Sequence, residues 1–412
     1  MSRRVVITGM GAISPIGNDL NSIWDSIENS KCGIDNITLF DTTDQKVKLA
    51  AEVKDLQTDL YFSDRELKFN DRFTQFARIA AKQAMEDSKL DIDNINNDRV
   101  GVILGSGIGG INTIQNSCNT LAERGPSKVS PYFIPMSLIN LAAGSVAIDH
   151  KAKGICYSVV TACAASNNAI GEAFDKIRNN KADVIISGGS EASINPVAIA
   201  GFAAMRALSR SEDKNRASIP FDKDRNGFVM GEGAGILILE ELEHAKNRNA
   251  RIYGEVVGYG ATCDANHITA PIEDGSIGAK AMIEAIEDAN IDYTAIDYVN
   301  AHGTSTPLND KTETKAIKLA LKEHAYNTHV SSTKSFTGHL LGASGAIEAI
   351  ITILAMNNNF VPPTINYVNK DEETDLNIVP NKGITKEINY ALSNSLGFGG
   401  HNACLVFKKW GE

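Results

Sequence analysis

The chain has 412 residues, of which 43% are hydrophobic, 22% are charged and only 6% are aromatic, and its formal net charge is -10. This length predicts two domains or one large duplicated domain. A negatively charged surface repels phosphates and anionic head groups, which argues against nucleic acid and membrane surfaces as partners. An acidic protein partner would therefore need a local basic patch on which to dock.

The six cysteines are scattered singly, without a CxxC pair: Cys32, Cys118, Cys156, Cys163, Cys263 and Cys404. A chain of this size needs no disulfide framework, which predicts reduced thiols in a reducing compartment. The opening MSRRVVITG lacks the apolar core of a signal peptide, and no segment is expected to be long and apolar enough to span a bilayer. These features predict a soluble cytoplasmic protein.

Strand and helix signals alternate along the first half. Apolar and β-branched runs predict strands at Val5–Thr8, Arg99–Leu104 and Ala182–Ser187, each ended by glycines. Apolar residues recur at helical spacing in Phe73–Asp87 and predict a helix there. Such alternation is typical of an α/β architecture.

The second half follows the same order of signals. Its predicted strands are Ile252–Val257, Asp297–Asn300, Ser331–Ser335, Tyr390–Leu396 and Ala403–Lys408. The second of these leads into AHGTST, as the run before Gly105 leads into GSGIGG. We therefore predict a duplicated α/β unit, with one half over 1–250 and the other over 251–412. The alternative is coincidence, since any α/β protein alternates strands and helices.

Cys163, in the segment TACAAS, has the context of a nucleophile. A strand-like run precedes it and a nearly uncharged helical pattern follows it, so Cys163 is predicted at the N-terminus of a buried helix. Free N–H groups and the helix dipole favour an anion there, which predicts a lowered thiol pKa. The alternative is a buried structural thiol, the commoner role of a lone cysteine. The other five cysteines lack this context and are predicted to be structural.

Two histidines lie in comparable settings. His302 follows a predicted strand in NAHGTST, and His339 is predicted at a strand-to-helix junction in SFTGHLLG. Because ligands bind at the carboxyl edge of an α/β sheet, both histidines and Cys163 are candidates for one site. The alternative for each histidine alone is an ordinary core or surface residue. No HxxH, HExxH or paired Cys/His spacing predicts a metal site, and GSGIGG lacks the acidic residue of a dinucleotide-binding motif.

Three segments together resemble the β-ketoacyl-acyl-carrier-protein synthases: TACAAS, AHGTSTPLND with the following KTET, and KSFTGHLLGASGAIEA. GFGGHN near the C-terminus and the opening VVITGMGAISPIG extend the resemblance from residue 3 to about 408. The resemblance implies a thiolase-like α/β fold, with two similar halves in an αβαβα core, and a homodimer. It also implies an acyltransferase that elongates acyl chains in fatty acid synthesis by decarboxylative condensation with a malonyl unit.

Single residues separate the branches of this superfamily. Thiolases carry a second catalytic cysteine in the last glycine-rich loop, where this chain has GFGGHN. Initiating synthases have Asn where this chain has His339, and non-catalytic chain-length partners lack the nucleophile. The elongating Cys-His-His class remains, and Ile108 resembles the type that accepts longer acyl chains. The same resemblance places Phe202 in the acyl pocket and implies that Phe133 reaches the acyl tunnel of the partner subunit.

The resemblance also assigns chemical roles. Cys163 and Phe398 would supply the backbone N–H groups of an oxyanion hole, and Phe398 would act as a gate between glycines. His302 and His339 would donate hydrogen bonds to the enolate. Lys334 would orient the site electrostatically.

Further implied contacts complete this picture. Glu348 is the expected charge partner of the active-site lysine. The pantetheine arm of the substrate is expected to contact Thr269, Thr304 and Thr306. A structural Na or K ion would be held by Asn300, Glu348, Ser393 and Asn394. The reaction itself is expected to need no metal and no organic cofactor.

The implied partner is an acidic acyl-carrier protein. The basic residues that match the family's docking face are Arg65, Lys68, Arg124, Lys128 and Arg206. Each of these alone is equally consistent with an ordinary solvated charge. Two rival functions stay open at this point: a ketosynthase of a polyketide pathway, and a non-catalytic acyl-binding or chain-length partner.

Overall fold

The computed structural model describes residues 3–411. Its main sheet has ten strands. They are β1 (Val5–Ile13), β2 (Val100–Gly105), β3 (Cys156–Val159), β4 (Val184–Glu191), β5 (Gly233–Glu241), β6 (Gly254–Cys263), β7 (Tyr298–Asn300), β8 (His329–Ser331), β9 (Tyr390–Gly397) and β10 (His401–Lys409). Two short ribbons lie outside this sheet: Asp35–Asn36 with Leu49–Ala50, and Phe360–Val361 with Ile384–Thr385.

Thirteen α-helices lie within the described range. They are α1 (Leu20–Glu28), α2 (Asp64–Leu67), α3 (Arg72–Ser88), α4 (Ile111–Arg124), α5 (Phe133–Ser137), α6 (Asn140–Asp149), α7 (Ala165–Arg178), α8 (Pro196–Ala204), α9 (Leu242–Asn247), α10 (Ser276–Asp288), α11 (Pro307–Leu321), α12 (Lys334–Thr337) and α13 (Ser344–Asn358). Polar caps start several of them: the Thr306 side chain, for example, accepts from the Asn309 N–H at the start of α11.

The strand order repeats between the two halves. In the first half it is β3-β2-β4-β5-β1, and in the second it is β8-β7-β9-β10-β6. In each half the three strands at one edge run parallel, and the next two pair antiparallel. This shared order agrees with the predicted duplication. The division at residue 250 stays a prediction.

The two halves meet in one continuous sheet. Val5, Val6 and Ile7 of β1 pair antiparallel with β6. The helices then form layers on both sides. α3 and α6 cover the first half, α10 and α11 cover the second, and α7 and α13 pack against each other between them. Residues Ser344–Met356 of α13 are all buried, so the centre of the molecule is helix on helix between two sheet halves. This is the predicted αβαβα arrangement.

Two predictions about segments were wrong. The strand predicted at Ser331–Ser335 ends at Ser331, because the hydroxyls of Ser332 and Ser335 make local hydrogen bonds to the Gly303 and Ser332 carbonyl oxygens and a helical turn follows. One stretch, Leu341–Asn358, is long and apolar enough to cross a membrane, although none was expected. It is 83% buried inside the protein, so its apolar character serves the central helix layer.

Candidate active site

Cys163 lies in a tight turn that leads into α7. Residues Ala162–Ala164 form a 3₁₀ turn, and Cys163 is 8% exposed. Ala162 has a φ of 49°, a left-handed conformation that a non-glycine residue keeps only where packing holds it. Gly397 lies directly against the turn, since a Cβ there would be 2.8 Å from the Thr161 carbonyl oxygen. The predicted placement of Cys163 at the start of a buried helix is confirmed.

The electrostatics of this thiol differ from the prediction. Burial raises the pKa of the Cys163 thiol to about 11, while the Lys334 ammonium and the Phe398 N–H act in the opposite direction. The negative charge of Glu191 adds to the increase. Desolvation of the thiolate therefore outweighs the helix N-terminus, and the expected lowering is not found. The resting thiol is protonated at neutral pH.

His302 follows β7 and is buried. Its backbone N–H donates to Glu313 Oε1 at 2.7 Å, which fixes the chain at this point. Lys334 Nζ lies 3.4 Å from His302 Nδ1. Because an ammonium only donates, Nδ1 must accept, and the proton of the neutral ring sits on Nε2. Burial lowers the pKa of His302 well below its ordinary value, and the charges of Lys334 and His339 act in the same direction.

His339 is held differently from the predicted strand-to-helix junction. β8 ends eight positions earlier and α12 lies between, so His339 instead bridges to Met230 in an extended segment. Its Nδ1 lies 2.8 Å from Ser344 Oγ at the start of α13. The ring packs edge-on against Phe228, with centroids 5.2 Å apart. Burial lowers the pKa of His339 well below its ordinary value, with Lys334 acting in the same direction.

The structure brings the two imidazoles together. The rings of His302 and His339 are 5.2 Å apart and nearly perpendicular, at 88°. Both rings and Cys163 line one cavity of about 340 Å³. Two neutral rings beside a buried thiol can donate hydrogen bonds to a developing oxyanion without protonating it fully.

Lys334 is 1% exposed, and its ammonium forms a buried ion pair with Glu348. The predicted pairing is therefore present. Burial raises the pKa of the Glu348 carboxyl, while the charge and hydrogen bond of Lys334 act against the increase. Removing either partner would leave an uncompensated buried charge. The lysine also reaches His302, so one ammonium connects the ion pair to the imidazole ring of that residue.

The residues predicted to hold a cation offer free oxygens. Glu348 Oε2, Ser393 Oγ and Asn394 Oδ1 are buried without a hydrogen-bond partner in the described chain. Asn300 fits less directly, because its Oδ1 already accepts from Thr333 Oγ1 at 3.3 Å. Oxygen ligands suit a hard cation such as Na or K. Within residues 3–411 no cluster of three or more His, Cys, Asp or Glu side chains is placed to bind a metal.

Phe398 lines the same cavity as Cys163. Its backbone N–H contacts the Cys163 thiol, which places it where an oxyanion donor is needed. Its ring centroid is 6.4 Å from that of Phe202. Gly399 and Gly400 follow with φ of 89° and 78°, values that favour glycine. The predicted gate therefore sits on a backbone that only glycine accommodates easily.

The residues predicted to bind substrate lie in three places. Phe202, Thr269, Thr304 and Thr306 all line the cavity together with the candidate catalytic residues. Ile108 packs against the apolar cluster that contains Cys163. Phe133 does not line this cavity; it lies half-buried on α5 beside the exposed Tyr132 and Ile134.

Comparison with known proteins agrees with this architecture. Residues 2–245 match the family described as "Beta-ketoacyl synthase, N-terminal domain", and residues 253–368 match its C-terminal domain. The chain belongs to the beta-ketoacyl synthase family. It is 53% identical over 409 residues to the "3-oxoacyl-[acyl-carrier-protein] synthase 2" of Synechocystis, covering 99% of this chain and 98% of that protein. A Staphylococcus aureus protein of the same name is 52% identical, covering 99% of each chain.

Solved structures of family members share the fold over the whole chain. A beta-ketoacyl synthase from Burkholderia phymatum is 33% identical with a TM-score of 0.92, covering 99% of this chain and 100% of that one. A type II PKS acyl-carrier protein in complex with its ketosynthase contains a chain that is 35% identical, with a TM-score of 0.93 and full coverage of both chains. The predicted family, thiolase-like fold and condensing-enzyme class are confirmed.

The basic residues predicted to dock a partner are all exposed in this family member. Arg206 is exposed and also lines the cavity, so it lies where the cavity opens to solvent. Arg65 lies on α2 and Lys68 directly follows it. The next residue, Phe69, packs against Tyr132 at the start of α5, with ring centroids 4.0 Å apart, so α2 and α5 are neighbours. The other two, Arg124 and Lys128, lie at the end of α4 and in the next turn.

Two carboxylates that organise the synthase site were missed by sequence reasoning. Glu313 accepts from the backbone N–H groups of His302 and Gly303, and burial raises its pKa to about 7. Glu191 accepts from Gly107, Ile108 and other N–H groups. The available signal was a charged residue inside a run of small neutral ones, SGGSEAS, at the end of a predicted strand.

Proposed function

We propose that this chain catalyses the decarboxylative condensation of a Cys163-bound acyl group with malonyl-acyl-carrier protein, as a 3-oxoacyl-[acyl-carrier-protein] synthase of the elongating type. The observation that carries the proposal is the convergence of Cys163, His302 and His339 in one cavity, with both imidazoles neutral. The names of the relatives that match over nearly the whole chain support the substrate class.

In the first half-reaction Cys163 attacks the thioester of the incoming acyl-carrier protein. Because its pKa is raised to about 11, the thiol must lose its proton as the substrate binds, and a neutral imidazole accepts it. The N–H groups of Cys163 and Phe398 stabilise the tetrahedral oxyanion. The C–S bond to pantetheine breaks, and the departing thiolate takes the proton. The acyl chain then lies against the apolar cluster beside Ile108.

In the second half-reaction malonyl-carrier protein occupies the same cavity. Its C–C bond to the carboxylate breaks and carbon dioxide leaves, while His302 and His339 donate hydrogen bonds to the enolate oxygen. The enolate carbon attacks the acyl carbonyl and forms the new C–C bond. The Cys163 thiolate leaves and is reprotonated. Loss of carbon dioxide drives this sequence, and the steps as written use no cofactor.

We propose that a monovalent cation supports the site from behind. Glu348, Ser393 and Asn394 would hold it through the oxygens that have no other partner. Such an ion would supply positive charge next to the buried Lys334–Glu348 pair. Its role is structural, since it lies behind the side chains that line the cavity rather than among them.

We propose a homodimer in the cytoplasm. β3 is an edge strand of the main sheet, and exposed apolar side chains lie around it and on α5. They are Tyr132, Ile134, Leu138, Ile148 and Val160. An exposed strand edge beside an apolar patch favours pairing with a second copy. Free exposed thiols at Cys118, Cys156 and Cys263 support a reducing compartment.

The test follows the acyl group by intact mass. Wild-type protein is mixed with a series of saturated acyl-carrier proteins and then with malonyl-carrier protein. We expect a covalent acyl adduct on Cys163 that disappears with formation of 3-oxoacyl product. The variant Cys163→Ser should give neither adduct nor product at comparable rates. Wild-type protein that neither acylates nor condenses would favour the non-catalytic acyl-binding alternative.

The polyketide alternative is distinguished by the same series. The ketosynthase solved with a type II PKS acyl-carrier protein is 35% identical to this chain. The 3-oxoacyl-[acyl-carrier-protein] synthase 2 of Synechocystis is 53% identical to it. A component of fatty acid synthesis should release its product after one condensation, with a single 3-oxo group that a later step can reduce. Repeated condensation on one carrier, giving a poly-oxo chain, would contradict the fatty acid proposal.

We propose that the acidic carrier docks on the exposed basic residues. Arg206 at the cavity mouth is the first candidate, with Lys128 as the second. Reversing both charges, Arg206→Glu with Lys128→Glu, should raise the carrier-protein KM at least tenfold while kcat changes less than threefold. Lys246→Glu, on the exposed surface of α9, is the matched charge control. Unchanged kinetics in the double variant would remove this docking assignment.

A further inference from the structure

Glu191 at the end of β4 is a buried carboxylate whose partners are all N–H or O–H donors. Its Oε2 accepts from Gly107 N at 2.6 Å and from Gly342 N at 3.1 Å. Its Oε1 accepts from Ile108 N at 3.2 Å and from Gly109 N at 3.3 Å. Ser193 Oγ donates to Oε1 at 3.0 Å. Burial of a charge is costly unless such bonds compensate it.

No lysine or arginine forms an ion pair with this carboxylate within residues 3–411. The backbone donors come from two separate loops instead. One loop carries Ile108, which packs against the apolar cluster around Cys163. The other is the turn between His339 and Ser344, the serine that contacts the His339 ring. One carboxylate therefore holds two segments together: residues 106–110, the acyl-pocket loop, and residues 339–344, the histidine turn.

The two loops are in close backbone contact at this point. A Cβ on Gly342 would lie 2.2 Å from Gly107 N and 2.8 Å from Glu191 Oε2. A Cβ on Gly107 would also lie 2.8 Å from the same carboxylate oxygen and 3.7 Å from the Ala162 carbonyl oxygen. The contact leaves no room for either loop to shift alone. Displacement of the acyl-pocket loop would be passed to the histidine turn.

We propose that Glu191 is a positioning residue that couples acyl-chain length to the placement of His339 and also places a negative charge near the nucleophile. The proposal rests on the condensing function proposed above. Gly107 lies against both the Glu191 carboxylate and the carbonyl oxygen of Ala162, the residue before Cys163, so the carboxylate is close to the thiol. Its negative charge acts with burial to raise the pKa of Cys163, and Lys334 opposes this increase. Burial raises the pKa of the Glu191 carboxyl as well, while its bonds from Gly107, Ser193 and Gly342 act against that increase.

The first test uses Glu191→Gln, which keeps the shape and removes the charge. Alkylation of Cys163 by iodoacetamide is followed by intact mass from pH 7 to pH 11. We expect the alkylation rate at pH 8 to rise at least threefold in the variant, because the thiolate forms at lower pH. Glu240→Gln is the matched control, since Glu240 is also a fully buried strand carboxylate but lies at the far end of β5, bonded to Arg248 and His244.

The second test compares kcat/KM for a short and a long acyl-carrier protein. We expect Glu191→Gln to lower kcat/KM for the long chain at least tenfold more than for the short chain. Glu191→Asp keeps the charge but shortens the reach to the two loops. It should therefore leave the alkylation profile close to wild type and still alter the chain-length ratio. A merely structural role would lower the melting temperature of both variants without moving either readout.

The outcomes separate this proposal from the condensing function. Alkylation needs no substrate, so it reports on Glu191 even if wild-type protein does not condense. An alkylation profile and a chain-length ratio both equal to wild type in folded Glu191→Gln would overturn the proposal. Should that variant not fold, Ser193→Ala decides: it removes one donor to the carboxylate and should shift the chain-length ratio about twofold, and an unshifted ratio overturns the coupling.

Discussion

The two halves of the molecule contain the same turn, used for different purposes. Ala162–Ala164 precedes α7, and Leu341–Ala343 precedes α13; both are 3₁₀ turns. Each begins with a left-handed residue, Ala162 at 49° and Leu341 at 47°. The second residue is Cys163 in the first turn and Gly342 in the second. The duplicated backbone is nearly the same, but only the first copy carries a cysteine at this position.

The two turns differ in what lies against them. The Cys163 turn faces a cavity, and the Phe398 N–H is available beside the thiol. In the second turn the Gly342 N–H is already bonded to Glu191, and the backbone packs on Gly107. A carboxylate thus occupies the place in the second half where an oxyanion would bind in the first. One copy is left open for chemistry, and the other is closed and supports His339.

The largest effect should come from making the first turn like the second. Cys163→Gly removes the nucleophile, and condensation should fall by about 10³-fold or more, since the remaining groups cannot form the acyl-enzyme. The fold should persist, with a loss of about 1–2 kcal/mol of unfolding free energy for the deleted buried side chain. Product assays and thermal unfolding check both parts. Residual condensation within tenfold of wild type would mean that the two turns do not differ in the proposed way.

The second-largest effect should come from removing the Lys334 ammonium, which lies near the Cys163 turn. Lys334→Met should lower kcat/KM about 10²-fold, and because Lys334 helps to depress the pKa of both histidines, their pKa values should rise. The histidines then become protonated at higher pH, so the acidic limb of the pH–rate profile moves to higher pH. The profile of kcat/KM measures this.

A control separates stability from electrostatics in that variant. Lys334→Met alone leaves Glu348 buried without its partner, at a cost of about 3–5 kcal/mol. Lys334→Met with Glu348→Gln should recover much of that stability but keep the shifted acidic limb. An acidic limb that returns to wild type in the double variant would contradict the direct action of Lys334 on the rings.

Overpacking the second turn, at Gly342, should have a smaller effect on activity. Gly342→Ala places a Cβ 2.2 Å from Gly107 N, which should cost about 1–3 kcal/mol of unfolding free energy by overpacking. Activity should fall about tenfold because the His339 turn moves. Gly201→Ala is the matched control: nothing lies within 4 Å of its added Cβ in α8, and a helical alanine should stabilise by up to about 1 kcal/mol. Equal stability in both variants would show that the second turn is not tightly closed.

The smallest expected effect is in how steeply the rate of Cys163 alkylation depends on pH. With the pKa of Cys163 raised to about 11, the rate of alkylation should increase about tenfold per pH unit from pH 7 to pH 10. An ordinary thiol levels off near pH 9. Urea-unfolded protein, in which the same thiol is solvated, provides the comparison. A plateau below pH 8 in the folded enzyme would support the lowered pKa expected from the helix N-terminus alone.

Local signals predicted well where two of the candidate catalytic residues lie in the fold. Cys163 and His302 follow strand signals directly, and Lys334 stands out as a charge in a neutral run. The pairing of that lysine with Glu348 is also present. Such features depend on neighbours in the chain, so they can be seen without the fold.

Long-range contacts and desolvation could not be predicted in the same way. The backbone N–H groups that bind Glu191 lie more than 80 positions away in the chain, which no local pattern indicates. The direction of the Cys163 pKa was wrong because it depends on how fully the fold excludes water. The strand predicted at Ser331–Ser335 was wrong because serine hydroxyls offered the backbone other partners.

The position of β1 has a consequence for synthesis on the ribosome. Val5 pairs with Glu241 on one side and with Val256 on the other, and every residue of β1 is buried in the finished protein. At about 5–20 residues per second, this apolar strand waits roughly 12–50 seconds before its first sheet partner has been made. During that time the nascent chain offers an unpaired β-segment to other chains. We therefore expect newly made protein to depend on chaperones that shield its first fifteen residues or so.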